Sequence, residues 1–148
     1  MHLIHLVIAT GFGVGYSPIA PGTAGSLLAL ISAYFILNGD LAFLSILIVL
    51  FLIVGINSST YVENNLYRED PPIVVVDEMV GMWISLIFVP PLWWKYLLAF
   101  GLFRFFDIMK PFPVNRLQNL SKGWGIMFDD VGAGLYALLT IHIILIFI

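Results

Sequence analysis

Cysteine is absent from the 148 residues. That excludes disulfides, a thiolate metal site and a cysteine nucleophile. Charge is scarce as well. Asp, Glu, Lys and Arg make up 10% of the chain, where a soluble domain carries about a quarter. Six basic residues face nine acidic ones, and the net charge of −3 gives no electrostatic footprint for nucleic acid. No basic n-region precedes the apolar start MHLIHLVIAT, and a glycine-rich loop follows it instead of a cleavage site. It does not read as a signal peptide.

Apolar residues are abundant instead. They form 61% of the chain, and the mean hydropathy is +1.04. These values exclude disorder and predict an integral membrane protein: one all-α domain over residues 1–148, a helical bundle of about five short spans. The apolar segments are Gly25–Leu37, Leu41–Ile56, Met79–Val89, Leu92–Phe103 and Val131–Ile148. Most fall short of the ~20 residues of a perpendicular span. Leu41–Ile56 covers roughly 24 Å, so the helices are expected to continue beyond the hydrocarbon. Asn38-Gly39-Asp40 predicts a tight turn and Pro90-Pro91 a break. The polar stretch Ser58–Pro72 reads as helix up to about Arg68. Short spans also favour helix association, a homodimer among the forms expected.

Basic residues assign the sides. If Asn38–Asp40, Pro90-Pro91 and the C-terminus lie outside, then residues 10–25, 57–78 and 104–130 lie inside. The inside set holds Arg68, Arg104, Lys110, Arg116 and Lys122, and the outside set only Lys95. That asymmetry points the three polar regions to the cytoplasm.

Each polar region has an ordinary reading. In GFGVGYSPIAPGTAGS, residues 11–26, successive glycines and a helix start near Thr23–Ser26 can cradle a phosphate, or simply let helices pack closely. In DPPIVVVDEMVG, residues 70–81, Asp77 and Glu78 open a membrane helix and complement its dipole. In residues 103–134, Arg104 and Asp107 share a helix face and can pair. Asp129-Asp130 precedes an apolar run and reads as a helix cap.

Together the regions go beyond those readings. Asp77, Glu78, Asp107, Asp129 and Asp130 are five of the nine acidic residues, all at membrane-helix ends on one face. Charges at that depth are costly and by default functional. Carboxylates without thiols form a hard oxygen site, suited to Mg²⁺ or Mn²⁺. With basic residues beside them, the implied chemistry is metal-assisted phosphoryl transfer at a membrane surface.

Four stretches then resemble the phosphatidylglycerophosphatase A family: GVGYSPIAPGTAGS at 13–26, IVVVDEMVG at 73–81, FRFFDIMKPFP at 103–113 and GIMFDDVGAG at 125–134. Lys122 stands where a glycine is expected, and Val76 where an aromatic often precedes Asp-Glu. The resemblance implies a mostly helical bacterial inner-membrane enzyme with a cytoplasmic-face site. That enzyme hydrolyses the terminal phosphate of phosphatidylglycerophosphate and depends on Mg²⁺. The expected metal ligands are Asp77, Glu78, Asp107, Asp129 and Asp130. Asp129 or Asp130 is the candidate general base, and Arg104 and Lys110 the phosphate-neutralising pair. Gly22, Thr23, Gly25, Ser26, Arg116 and Lys122 are the expected substrate contacts. His2, His5 and His142 read as structural. A cation transporter would carry its acids within the spans, and a CDP-alcohol phosphotransferase requires a DGxxAR signature that is missing here.

Overall fold

A computed structural model describes residues 2–148. The elements are α1 (Leu3–Ala9), a 3₁₀ turn at Val14–Tyr16, α2 (Pro21–Ser32), α3 (Leu41–Leu66), α4 (Val76–Ser85), α5 (Trp93–Met109), α6 (Val114–Leu117) and α7 (Gly123–Phe147). A π-helical turn, Ala33–Leu37, extends α2. Among the described residues there is no strand. The molecule is an all-α membrane helical bundle.

Local chemistry sets several boundaries. α2 starts on Pro21, whose missing N–H costs nothing in a first turn; this is two residues ahead of the expected start. Asn38 (φ 45°) and Gly39 (φ 80°) reverse the chain through left-handed conformations. The Asp40 carboxylate then accepts a hydrogen bond from the Phe43 N–H at 3.1 Å and caps α3. α3 runs past Ile56 to Leu66, as a short apolar core extended by a polar helix predicts.

The Met79–Val89 segment is only partly helical. α4 has ten residues, about 15 Å of helix, shorter than a perpendicular span. Every residue in it is buried except Glu78, which is half-buried. α2, α3, α5 and α7 all pack around it. Beyond its acidic first turn α4 is apolar on all sides, as the buried centre of a bundle must be. Two helices, α3 and α7, are long and apolar enough to cross a membrane by length and composition. Only 28% of the most apolar window of each is buried. Phe43, Ile46 and Ile53 on α3, Leu139 and Ile143 on α7, Ile31 on α2 and Phe35 in its π-helical extension all face outward. An apolar exterior of this extent suits lipid, not water.

α4 and α7 run parallel and cross backbone to backbone. A Cβ on Gly134 would lie 2.5 Å from the Gly81 carbonyl oxygen. One on Gly81 would lie 2.6 Å from the Asp130 carbonyl and 2.5 Å from the Phe103 ring. Asp77 precedes Gly81 by four residues, and Asp130 precedes Gly134 by four. Both acids therefore sit one turn along the same faces from the crossing. At the other end of the bundle, the Gly39 turn rests on Pro91, 3.0 Å from a Cβ built on Gly39.

Candidate active site

The three acidic patches of the sequence meet at one end of the bundle. Asp77, Asp129 and Asp130 each offer a carboxylate oxygen, and these atoms lie within 4.8 Å of one another. All three residues are buried, Asp130 to 1% exposure. Asp77 and Glu78 occupy the first turn of α4. Asp129 and Asp130 do not cap α7, because that helix begins at Gly123 and puts them about two turns inside. The helix-cap reading fails for that reason.

Glu78 extends toward the start of α2. A Cβ on Gly22 would lie 2.5 Å from Glu78 Oε1 and 3.5 Å from Arg104 Nη1. Gly22 therefore leaves room that any side chain would fill. Asp107 accepts from Arg104, the i,i+3 pair that the spacing predicts. Lys110 ends α5 in a left-handed conformation. Its Nζ lies 2.7 Å from Asp129 Oδ2, 3.4 Å from Asp107 Oδ1 and 4.0 Å from Asp130 Oδ1. Burial disfavours its charge, but the carboxylates of Asp130, Asp129 and Asp107 more than offset that, so its ammonium titrates above the ordinary lysine range. Lys110 thus stays charged and ties Asp107 to the aspartate trio.

One cation does not satisfy so many acids. Asp77 Oδ1, Glu78 Oε2, Asp129 Oδ1 and Asp130 Oδ2 are buried without hydrogen-bond partners. Leaving such groups unpaired costs several kcal/mol. The unpartnered oxygens on Asp77, Asp129 and Asp130, the three carboxylates that converge, could serve a hard divalent cation as ligands. The residues present fit that ion.

The glycine loop serves packing. The amides of residues 11–17 all donate within the N-terminal segment, to oxygens of residues 7–14. Among residues 11–17 no amide nest remains for a phosphate. A Cβ on Gly15 would lie 1.9 Å from the Ile73 carbonyl oxygen, and the Val75 N–H donates to the Ala9 carbonyl at 2.8 Å. The loop thereby fixes the segment that delivers Asp77. Gly25 packs on Val75, and the buried Ser26 hydroxyl donates to the Gly22 carbonyl at 2.9 Å. Gly22 and Thr23, half-buried in the first turn of α2, remain at the rim. Arg116 is exposed, with its guanidinium over the Phe112 ring. It makes none of the ion pairs of the acidic group.

Lys122 and Asp129 instead line a cavity of about 970 Å³ beside the trio. Glu63 lines it too and has a buried, unpartnered Oε2. Sequence reasoning missed Glu63. Its only signal was an acid in the polar extension of an apolar helix.

The family model described as phosphatidylglycerophosphatase A matches residues 7–145. The chain belongs to the phosphatidylglycerophosphatase A family. A Bacteroides thetaiotaomicron protein provisionally named phosphatidylinositol-3-phosphatase is 47% identical over 93% of this chain and 91% of its own. Phosphatidylglycerophosphatase A of Haemophilus influenzae is 41% identical over 95% of this chain and 88% of its own. The Escherichia coli protein of that name is 36% identical over 86% and 76%. No solved structure matches the chain. In this phosphatidylglycerophosphatase A family member, the four stretches singled out in the sequence are also the four that surround the acidic group. Residues 13–26 support it from α2, 73–81 supply Asp77 and Glu78, 103–113 supply Arg104, Asp107 and Lys110, and 125–134 supply Asp129 and Asp130.

Proposed function

We propose that the chain is a Mg²⁺-dependent lipid phosphatase that hydrolyses the terminal phosphate monoester of phosphatidylglycerophosphate. The products are inorganic phosphate and phosphatidylglycerol, which stays in the bilayer. The observation that carries this reading is the convergence of Asp77, Asp129 and Asp130 beside Arg104 and Lys110, with buried carboxylate oxygens left unpartnered. Membership of the phosphatidylglycerophosphatase A family supports the substrate.

Asp77, Asp129 and Asp130 would hold the ion, with Glu78 the neighbouring carboxylate. A bound divalent cation polarises a phosphoryl oxygen and lowers the pKa of water. The chain's own groups supply the rest. Arg104 and Lys110 place fixed positive charge where the equatorial oxygens gain negative charge, and Asp107 holds both in position. The first-turn amides of Gly22 and Thr23 add donors at a helix start, which favours anions. Asp129 opens onto the large cavity, so it is the better placed of the two candidate bases. It takes a proton from water as the water oxygen bonds to phosphorus, and as the bond from phosphorus to the headgroup oxygen breaks it passes that proton to the departing oxygen.

The Bacteroides relative favours a second substrate, a lipid with phosphate on an inositol ring. Purified protein in detergent should release phosphate from phosphatidylglycerophosphate faster than from phosphatidylinositol 3-phosphate. The reverse order would move the assignment to the second reading, and release from neither would remove the lipid phosphatase reading.

The enzyme would sit in the bacterial inner membrane as a multi-pass protein with its site toward the cytoplasm. The five cationic residues near the site against the lone Lys95 support that orientation. α7 leads away from the acidic end, so a reporter fused after Ile148 should be active on the periplasmic side. Cytoplasmic activity of that reporter would reverse the orientation.

A further inference from the structure

A cavity lies between the end of α3 and the turn that leads into α7, and of the metal and phosphate groups assigned so far it reaches only Asp129. Its volume is about 970 Å³, room for several groups the size of a phosphate or a glycerol. Its walls are fixed. The Gly123 N–H donates to Thr60 Oγ1 at 3.0 Å, and a Cβ on Gly123 would lie 2.2 Å from the Ile56 carbonyl. That contact locks the start of α7 onto α3, so the cavity is preformed. Carboxamides of Asn64, Gln118 and Asn119 line it, together with the Glu63 carboxylate. Arg68 and Lys122 add positive charge, Glu69 and Asp70 add negative charge, and Asp129 links the cavity to the aspartate trio.

This lining matches one kind of ligand. Carboxamides and a carboxylate recognise hydroxyl groups, since they accept O–H donors and return N–H bonds. Arg68 from the α3 wall and Lys122 from the opposite wall are the cations available to a phosphodiester. A lipid whose terminal phosphate lies at the trio must place the rest of its headgroup, a polyol joined to a phosphodiester, within a few ångströms of Asp129. Glu63 Oε2 is buried with no partner, and a carboxylate oxygen in that state gains most from a hydroxyl donor.

We propose that this cavity binds the hydroxylated headgroup of the lipid phosphate and that Glu63 is a specificity-determining residue, accepting a hydrogen bond from a headgroup hydroxyl. The proposal rests on the lipid phosphatase reading above. It extends that reading from the reacting phosphate to how the enzyme distinguishes one lipid phosphate from another.

The test compares phosphatidylglycerophosphate with its analogue lacking the free hydroxyl on the headgroup glycerol, both in detergent micelles with Mg²⁺ present. Wild-type protein should prefer the hydroxylated ester by at least about tenfold in kcat/KM, since a site built around a hydroxyl rejects its absence. The difference should lie mainly in KM. Glu63→Ala should bring the ratio to within about twofold of one, while Glu63→Gln, which keeps an acceptor oxygen, should retain part of the preference. An unchanged ratio in both variants, or no preference in the wild type, overturns the role of Glu63. Phosphate release from neither ester by wild-type protein would overturn the phosphatase reading itself, and the two failures are therefore distinguishable.

Discussion

Asp130→Asn should lower phosphate release from phosphatidylglycerophosphate by on the order of a hundred- to a thousandfold, the scale of several kcal/mol of lost electrostatic stabilisation. Asp130 is 1% exposed, is one of the three residues whose oxygens converge, and has an oxygen with no protein partner. Asparagine keeps the shape and removes the charge. Without divalent cation the variant should be at least as stable as wild type, because a buried unpaired carboxylate destabilises the fold and a neutral amide does so less. The rise in Tm that Mg²⁺ gives the wild type, by binding the folded state alone, should be lost. A purely structural Asp130 predicts a different pattern: lower stability in every buffer and an unaltered response to Mg²⁺. Thermal unfolding with and without Mg²⁺, read beside activity, separates the two.

Gly134→Val should be more damaging to the fold than any other single change considered. Its Cβ would lie 2.5 Å from a backbone oxygen of Gly81, and backbone cannot rotate away as a side chain can. α7 must shift, and overpacking of this kind costs about 3 kcal/mol or more. The crossing sits one turn from Asp77 and Asp130, so the shift separates the carboxylates as well. The expected result is low yield, an early thermal transition in detergent, and no activity in the folded fraction. Gly101→Ala is the matched control. A Cβ there meets nothing within 4 Å, and alanine improves an exposed helix position by roughly 0.5–1 kcal/mol. Wild-type stability and activity in Gly134→Val would show that the α4–α7 crossing does not position the site.

Features set by neighbours in the chain were legible in the sequence. The Asn38–Asp40 turn, the continuation of α3 past Ile56 and the Arg104–Asp107 pair all follow from caps, left-handed turn residues and i,i+3 spacing. So did the gathering of Asp77, Asp107, Asp129 and Asp130, because alternating helices return their acidic ends to one side. Features set by what surrounds a segment were not legible. α4 is apolar beyond its first turn, and hydropathy cannot tell a helix wrapped by protein from one wrapped by lipid. The start of α7 was placed eight residues late because Gly123 and Gly125 resemble a loop; here their lack of side chains lets the helix dock on α3 and on the turn at residues 118–120. The loop at residues 11–17 has the composition of a phosphate cradle, but its amides are consumed by oxygens of the same segment. Glu63 drew no notice, since only the tertiary fold brings the end of α3 to the cavity that Asp129 also lines.

The central claim is that the buried aspartates form a divalent-cation site that drives hydrolysis of a lipid phosphate monoester. Its most direct test is phosphate release from phosphatidylglycerophosphate by the purified protein, after chelation by EDTA and again after Mg²⁺ is restored. Release should fall to background on chelation and return saturably with Mg²⁺ in the wild type, but not in Asp130→Asn. Undiminished release from thoroughly chelated protein would contradict the claim.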